Sequence, residues 1–314
     1  MLLAHALVVR HLGQGWRWQP GCDDPVYWRI LRLFQDKKAC VFSIQQIAAM
    51  GQAEGIQVGQ WFGPNTISQV LKRVAVYDTW SNLCVHVALD GLVVTAEIRQ
   101  LCHSYTRSAA VEMEGVTQLS DKASGESENE AEWKPLLLLV PLRLGLSEVN
   151  EVYFRALKQV FTSPHSVGIL GGKPNHAYWF IGHVEDELIY LDPHTTQVHT
   201  DLDLEVSEVS DLSYHCAVPA SRMSFSKLDP SMALGFFCKT EIEFEQFCEF
   251  FTKQDTSISA LFEVKTDMEN LENLVLVDGC PDSLPYVDSE IQPEGSDSLA
   301  GEDFWNNEED FEFV

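Results

Sequence analysis

Asp186-Glu187-Leu188-Ile189-Tyr190-Leu191-Asp192-Pro193-His194-Thr195-Thr196-Gln197 decides how this chain is read. Leu188 to Leu191 is an apolar run of strand length, and an Asp and a His two residues apart follow it. Residues i and i+2 of a strand share a face, roughly 6–7 Å apart along the backbone. A carboxylate placed there reaches a ring nitrogen and fixes the tautomer and orientation of the imidazole. That is two thirds of a nucleophile–His–Asp arrangement. The competing reading is a strand-end turn carrying a solvated His.

The residues just upstream favour chemistry. Gly171-Gly172-Lys173-Pro174-Asn175 reads as a mobile or sharply turned loop. It leads into an aromatic strand, Ala177-Tyr178-Trp179-Phe180-Ile181-Gly182, and Val184-Glu185-Asp186-Glu187 makes a tight connection to the Asp192/His194 strand. A loop of this kind beside a His-bearing hairpin has the form of an active-site lid.

At 314 residues the chain can bury one large core, or one domain with extensions. Its net charge of −26 is concentrated at one end: Thr266 to Val314 holds 15 acidic residues and no Lys or Arg. The preceding 265 residues carry 32 acids against 21 bases. No basic patch exists to displace phosphate counterions, which argues against nucleic-acid or anionic-membrane binding. The acidic end reads as a solvated, disordered tail.

Cys22, Cys40, Cys84, Cys102, Cys216, Cys238, Cys248 and Cys280 include no C-x-x-C pair. That spacing indicates free thiols in a reducing compartment, not a disulfide frame, and no Cys/His spacing suits zinc. His215 beside Cys216 is the nearest approach, but neighbours on a strand point apart. Met1 to Val9 is apolar yet has neither a basic n-region nor a cleavage site. No apolar run approaches the ~20 residues of a membrane span. A cytoplasmic protein without metal or cofactor is expected.

Helices are expected at Met1 to His11, Asp24 to Phe34 and Ser43 to Met50. Another opens at Pro64-Asn65-Thr66, where Ile67, Val70, Leu71, Val74 and Tyr77 recur at i, i+3, i+4, i+7 and i+10. The first of these helices has an apolar start without a capping residue, as if its front had been cut away. Leu83 to Leu89 reads as a strand, and Asp90-Gly91 as a hairpin signal returning through Val93 and Val94. Thr95 to Cys102 is helical in pattern. Residues 103–132 are polar, acidic and aperiodic, a disordered surface insertion. Beyond them come a buried strand in Trp133 to Leu142, a helical stripe from Val149 to Val160, and strands at Ala177–Ile181, Glu187–Leu191 and Ala233–Cys238. A helix on Phe244, Phe247, Cys248 and Phe251 follows, and Leu261 to Val264 closes the sheet. Helices first and an antiparallel sheet later indicate the α+β class.

These stretches resemble the autophagins, autophagy cysteine peptidases with a papain-like fold. The resemblance runs from Met1 to about Val264. It rests on Gly59-Gln60-Trp61-Phe62-Gly63-Pro64-Asn65-Thr66, Val140-Pro141-Leu142-Arg143-Leu144-Gly145, Gly171-Gly172-Lys173-Pro174-Asn175, Leu191-Asp192-Pro193-His194-Thr195-Thr196-Gln197 and Leu228-Asp229-Pro230-Ser231-Met232-Ala233-Leu234-Gly235-Phe236-Phe237-Cys238. It implies a peptidase domain over residues 1–264 and an acidic disordered tail over 265–314. It implies cleavage after a C-terminal Gly of GABARAP-type ubiquitin-like modifiers, and their release from phosphatidylethanolamine. The family's catalytic Asp and His fall on Asp192 and His194, its gating aromatic on Trp61, and its regulatory loop on Lys173 to His176.

One departure stands beside the match. The family nucleophile lies in a Trp-Gly-Cys-Met-Leu-Arg-Cys-Gly-Gln block, and this chain begins just after it, at Met1-Leu2-Leu3-Ala4. A thiol at a helix N-terminus beside a His is a thiolate at neutral pH. The expectation is an N-terminally truncated chain (a fragment, an alternative start or a short isoform) that is inactive as written. A non-catalytic modifier-binding protein is the alternative. The tail ends Glu308-Glu309-Asp310-Phe311-Glu312-Phe313-Val314. Phe311 and Val314 there are spaced as the two anchors of a peptide that adds to a modifier's sheet edge.

Overall fold

Leu136, Leu137, Leu138, Leu139 and Val140 are all fully buried, so the strand they form is covered on both faces. This strand, β3 (Leu136–Arg143), is second in a seven-stranded sheet. The sheet order is β1 (Cys84–Val87), β3, β8 (Ser231–Cys238), β4 (Ser166–Lys173), β5 (His176–Val184), β6 (Glu187–Leu191), β7 (Ser221–Ser224). β1 runs parallel to β3 and every other pair is antiparallel. The expectation of an antiparallel sheet therefore holds except at this one edge. The computed structural model describes residues 1–103, 132–173, 176–194, 196–204, 209–216, 219–253 and 260–266. These lie within one compact unit, Met1–Met268; of the tail expected over 265–314, Lys265 ends a strand and the part from 267 on, with Phe311 and Val314, lies outside the described residues.

Strand alternation sorts the side chains into two cores. Leu137 and Leu139 face Leu2, Leu3, Ala6 and Leu7 of α1 (Leu2–Leu12) and Val70, Leu71 and Val74 of α4 (Pro64–Ala75). Leu136, Leu138 and Val140 face the other way. They meet Ile98 of α5 (Thr95–Cys102), Leu157 and Val160 of α6 (Phe154–Val160), and Phe244, Phe247 and Phe251 of α7 (Glu241–Lys253). Helices thus cover both faces of the central strands, and the class is α+β.

Local chemistry sets the helix starts. Asp24 caps α2 (Pro25–Arg32), accepting the Val26 amide at 2.8 Å. Ser43 caps α3 (Ile44–Gly51) through the Gln46 amide. Thr240 and Glu243 make a reciprocal cap on α7: the Thr240 hydroxyl accepts the Glu243 amide, and the Glu243 carboxylate accepts the Lys239 amide. α1 starts with no side-chain cap, and α4 starts on Pro64 after an extended Gly63.

Three expectations are corrected. Asp90-Gly91 is no hairpin. Leu89–Gly91 forms a 3-10 turn with Asp90 at φ 55°, and β2 (Leu92–Val94) leaves the main sheet to pair in parallel with β9 (Glu263–Lys265). The residues after Leu261 accordingly build this separate two-stranded sheet and do not close the large one. Gly171 and Gly172 are not loop but the end of β4, paired with Tyr178 and Ala177 of β5. Their pairing partners override the low strand preference of glycine. The insertion lies outside the described residues from 104 to 131; its base is closed by an antiparallel bridge from His103 to Trp133.

Candidate active site

β5 and β6 form an antiparallel pair in which Trp179 lies opposite Leu191, the last residue of β6. Asp192, Pro193 and His194 follow in a turn. The pair is therefore not joined across a shared strand face, as the spacing alone suggested. Asp192 Oδ1 accepts the backbone N–H of His194 at 2.9 Å, an Asx turn that folds the chain back on itself. The same oxygen lies 2.6 Å from His194 Nδ1. A carboxylate can only accept, so the proton sits on Nδ1 and the lone pair of Nε2 is left for another partner.

Rings from β5 frame this imidazole. His176 lies 6.0 Å from His194 between centroids, at 74°, and Tyr178 lies 6.4 Å away at 77°. Tyr178 is held in turn by a stack with Tyr190 at 4.3 Å. Lys173 places its ammonium 5.8 Å from the Tyr178 ring. On the other side of β5, the Trp179 indole N–H donates to the Val167 carbonyl at 3.0 Å, and its ring meets His5 of α1 at 5.5 Å. The first turn of α1 thus lies against the strand pair that carries Asp192 and His194. Burial lowers the pKa of His5, with the Arg17 charge adding to the effect, so its ring is neutral there.

An open cleft of about 640 Å³ runs beside this arrangement. Trp61, Phe62, Gly171, Gly172 and Lys173 line it together with His176 and Tyr178. Four of the residues singled out from the sequence, Trp61, Gly171, Gly172 and Lys173, are therefore on one wall, although more than a hundred positions separate Trp61 from the rest. Trp61 is 58% exposed at the lip. Pro174 and Asn175 lie outside the described residues. Asp192 and His194 are not on the cleft wall; His176 and Tyr178 stand between it and the imidazole. Gly172 is pinned from two directions. It pairs with Ala177, and its carbonyl accepts the Asp229 amide at 2.9 Å.

Sequence reasoning did not single out Tyr178, Leu146 or Asp229 as parts of the site. Arg143 stood inside a quoted block without a role. Its guanidinium donates to the carbonyls of Gly145 and Leu146 and so shapes the turn that leaves Leu146 87% exposed. Nothing in the apolar pattern separates these positions from ordinary core and turn residues.

The cleft wall holds no cysteine among the described residues. Cys22 and Cys40 lie in loops, Cys84 and Cys238 on strands, and Cys102 and Cys248 on helices. No group of three or more potential metal ligands occurs among the described residues. The arrangement holds an imidazole oriented by a carboxylate, with His176 and Tyr178 between it and the cleft.

Residues 1–250 match the family described as the peptidase C54 catalytic domain. The chain is 45% identical over 318 residues to the cysteine protease ATG4B of Xenopus laevis, covering 100% of this chain and 79% of that protein. It is 42% identical over 325 residues to the cysteine protease ATG4A of Bos taurus, with the same coverage. Against the cysteine protease ATG4A of Gallus gallus it is 48% identical over 259 residues, 81% of this chain and 68% of that protein.

Proposed function

We propose a modifier-processing role for this chain, which belongs to the peptidase C54 family of autophagy cysteine proteases. Its cleft takes the C-terminal tail of a GABARAP-type ubiquitin-like modifier, with Trp61 and the Gly171-Gly172-Lys173-Pro174-Asn175 segment gating entry. Asp192 orients His194, and His194 Nε2 acts as the base. The 2.6 Å contact between Asp192 and His194 carries this reading. The domain responsible is residues 1–264, with an insertion at 103–132 and a tail at 265–314.

With a thiol at Nε2, the reaction runs in two halves. The imidazole takes the thiol proton, the thiolate attacks the carbonyl of the modifier's terminal Gly, and the imidazolium returns the proton to the departing amine. Water, deprotonated by the same Nε2, then cleaves the thioester and regenerates the thiol. The departing amine is the next residue of a precursor, or the headgroup amine of phosphatidylethanolamine in the lipid conjugate. One mechanism thus serves both cleavage and release.

The thiol is the part that no described residue supplies at the cleft. The chain as given is accordingly inactive and binds modifiers without turnover, through the cleft and through Phe311 and Val314 of the tail. Helical turns ahead of α1 are the place to test for a thiol, because α1 packs on Trp179 and Trp179 pairs with Leu191, the residue before Asp192. A cytoplasmic setting is supported by the seven described cysteines, all of them free. No helix among the described residues is long and apolar enough to cross a membrane.

The test compares cleavage of a modifier precursor by residues 1–314 and by the same chain preceded by a helical Trp-Gly-Cys segment. The first should bind without turnover. The second should cleave, and His194→Ala should abolish that cleavage. Turnover by the unextended chain, or cleavage that survives His194→Ala, would overturn the proposal.

A further inference from the structure

We propose that Tyr178 positions His194, fixing the plane of an imidazole that Asp192 holds at one ring atom only. The role deepens the proposed mechanism and rests on His194 being its base. The bond between His194 Nδ1 and Asp192 Oδ1 sets the tautomer and anchors one corner of the ring. The ring can still swing about that bond, and the swing carries Nε2 with it. The His194 side chain is 49% exposed, and it lies in a turn beyond the end of β6, outside the strand pairing. A second contact on the ring is needed to aim Nε2 at one place.

Two rings on β5 meet the imidazole nearly edge to face, His176 at 6.0 Å and Tyr178 at 6.4 Å between centroids. The distances, and the angles of 74° and 77°, are those that ring quadrupoles favour. The two rings differ in how firmly they are held. His176 is exposed at the start of β5. Tyr178 is buried and stands opposite Gly171 of β4. It stacks on Tyr190 of β6 at 4.3 Å and 28°, and it meets Phe180 edge-on at 6.3 Å and 89°. Tyr190 lies opposite Phe180 in the β5–β6 ladder, so the three rings form one packed group. Close packing of this kind holds a ring in place, and Tyr178 gives the solvent-open imidazole a fixed reference.

Tyr178 also belongs to the cleft wall, together with Lys173 and His176. Lys173, the exposed last residue of β4, places its ammonium 5.8 Å from the Tyr178 ring centroid. One ring is thus shared by the cleft wall and the imidazole. A peptide seated in the cleft bears on the ring that aims the base, so occupancy of the cleft and the direction of Nε2 are coupled. Tyr178 acts through His194 and is a positioning residue. The contribution comes from the aromatic ring and not from the hydroxyl, because the ring makes both the stack on Tyr190 and the contact with His194.

The experiment is proton NMR on the full chain, residues 1–314, which needs no nucleophile. The His194 ring protons should show Overhauser contacts to the Tyr178 ring and be displaced by its ring current. Tyr178→Leu should move them toward the shifts of an exposed histidine, while the buried His86 and His165 keep theirs and report an intact fold. Tyr178→Phe, which keeps the ring, should restore the parent shifts. In the thiol-bearing chain, Tyr178→Leu should lower kcat for precursor cleavage about three- to tenfold, and Tyr178→Phe should recover most of the loss. The proposal fails if the parent lacks the Overhauser contacts or if Tyr178→Leu leaves the His194 shifts in place. It fails equally if Tyr178→Leu changes KM alone, which would make the ring a cleft wall and nothing more. If the thiol-bearing chain does not cleave at all, the modifier-processing reading falls, and the resonances still decide whether Tyr178 orients His194. The Overhauser contacts of the unmodified chain decide the matter even if Tyr178→Leu does not fold.

Discussion

One oxygen of Asp192 holds His194 twice, through the imidazole Nδ1 at 2.6 Å and through the backbone amide at 2.9 Å. The carboxylate therefore sets both the turn and the tautomer. In Asp192→Ala both bonds are lost, and nothing selects the Nδ1–H form. In the thiol-bearing protein, kcat/KM for precursor cleavage should fall about 10³–10⁴-fold, with modifier affinity unchanged. Nitrogen NMR of His194 should show Nδ1 protonated at neutral pH in the parent and a mixture of tautomers in the variant. An unchanged rate would remove Asp192 from the mechanism.

Gly172 tests the wall of the cleft. A Cβ there would stand 1.9 Å from the His176 carbonyl oxygen and 3.2 Å from Ala177 Cα. The close contact is with backbone, so no side-chain rotation relieves it. Gly172→Ala should spread the end of the β4–β5 ribbon, shift His176 and Tyr178 relative to His194, and cost about 1–3 kcal/mol. Isothermal titration with a modifier should show weaker binding by about tenfold or more. Retention of both stability and affinity would mean that the ribbon end is plastic.

Much of this fold was legible from the chain because its central elements are locally consistent. α4 carries its stripe, and β3 is apolar from Leu136 to Leu142, with Leu136 to Val140 covered on both faces. The Asp192/His194 pairing was readable as chemistry but not as geometry. The strand stops at Leu191, and a side-chain-to-backbone bond makes the approach. β4 was hidden because Gly168, Gly171 and Gly172 have little strand preference of their own; β5 and β8 impose the pairing. Gly168 sits at a bulge with φ +96°, where a Cβ would meet the Phe180 carbonyl at 2.4 Å. The β2–β9 pair joins positions 171 residues apart, Leu92 with Glu263, beyond the reach of any local pattern.

A second polar network holds residues 209–216 against α2, and it is expected to be structural. Asp211 is buried, and its Oδ2 accepts both the Trp18 indole N–H and the Tyr27 hydroxyl at 2.6 Å. Tyr27 also contacts His215 Nε2 at 2.7 Å, and Trp18 stacks on that imidazole at 3.9 Å. Burial and then the bond to Asp211 raise the Tyr27 pKa above its usual value. Asp211→Ala leaves the half-buried Trp18 indole N–H without its acceptor and the buried Tyr27 hydroxyl with His215 alone, and should destabilise the protein by about 1–3 kcal/mol. Urea denaturation measures this. A loss below about 0.5 kcal/mol would mean that water replaces the carboxylate.

Five histidines make the stability depend on pH in a window separate from the carboxylates. Burial lowers the pKa of His5, His11, His86, His165 and His215 from the ordinary 6.5. A lowered value means that below pH 6.5 the unfolded chain binds protons that the folded chain refuses. Stability is therefore complete above about pH 7, declines as pH falls below 6.5, and levels off once the folded histidines also titrate. The carboxylates with resolved shifts, Asp186, Asp201 and Asp203, are lowered from 3.8 by their lysine partners, so their contribution disappears only in stronger acid. Between pH 7 and 5 the decline belongs to imidazoles. His86 is the sharpest case: it is buried on β1 with its Nδ1 unpartnered among the described residues, so a proton there would leave an unpaired interior charge. Each such histidine contributes a slope of at most about 1.4 kcal/mol per pH unit. Urea midpoints measured from pH 8 to pH 5 should fall in the parent and fall less steeply in His86→Leu, where no proton can bind. Parallel curves for the two proteins would show that His86 takes up its proton in the folded state at no cost.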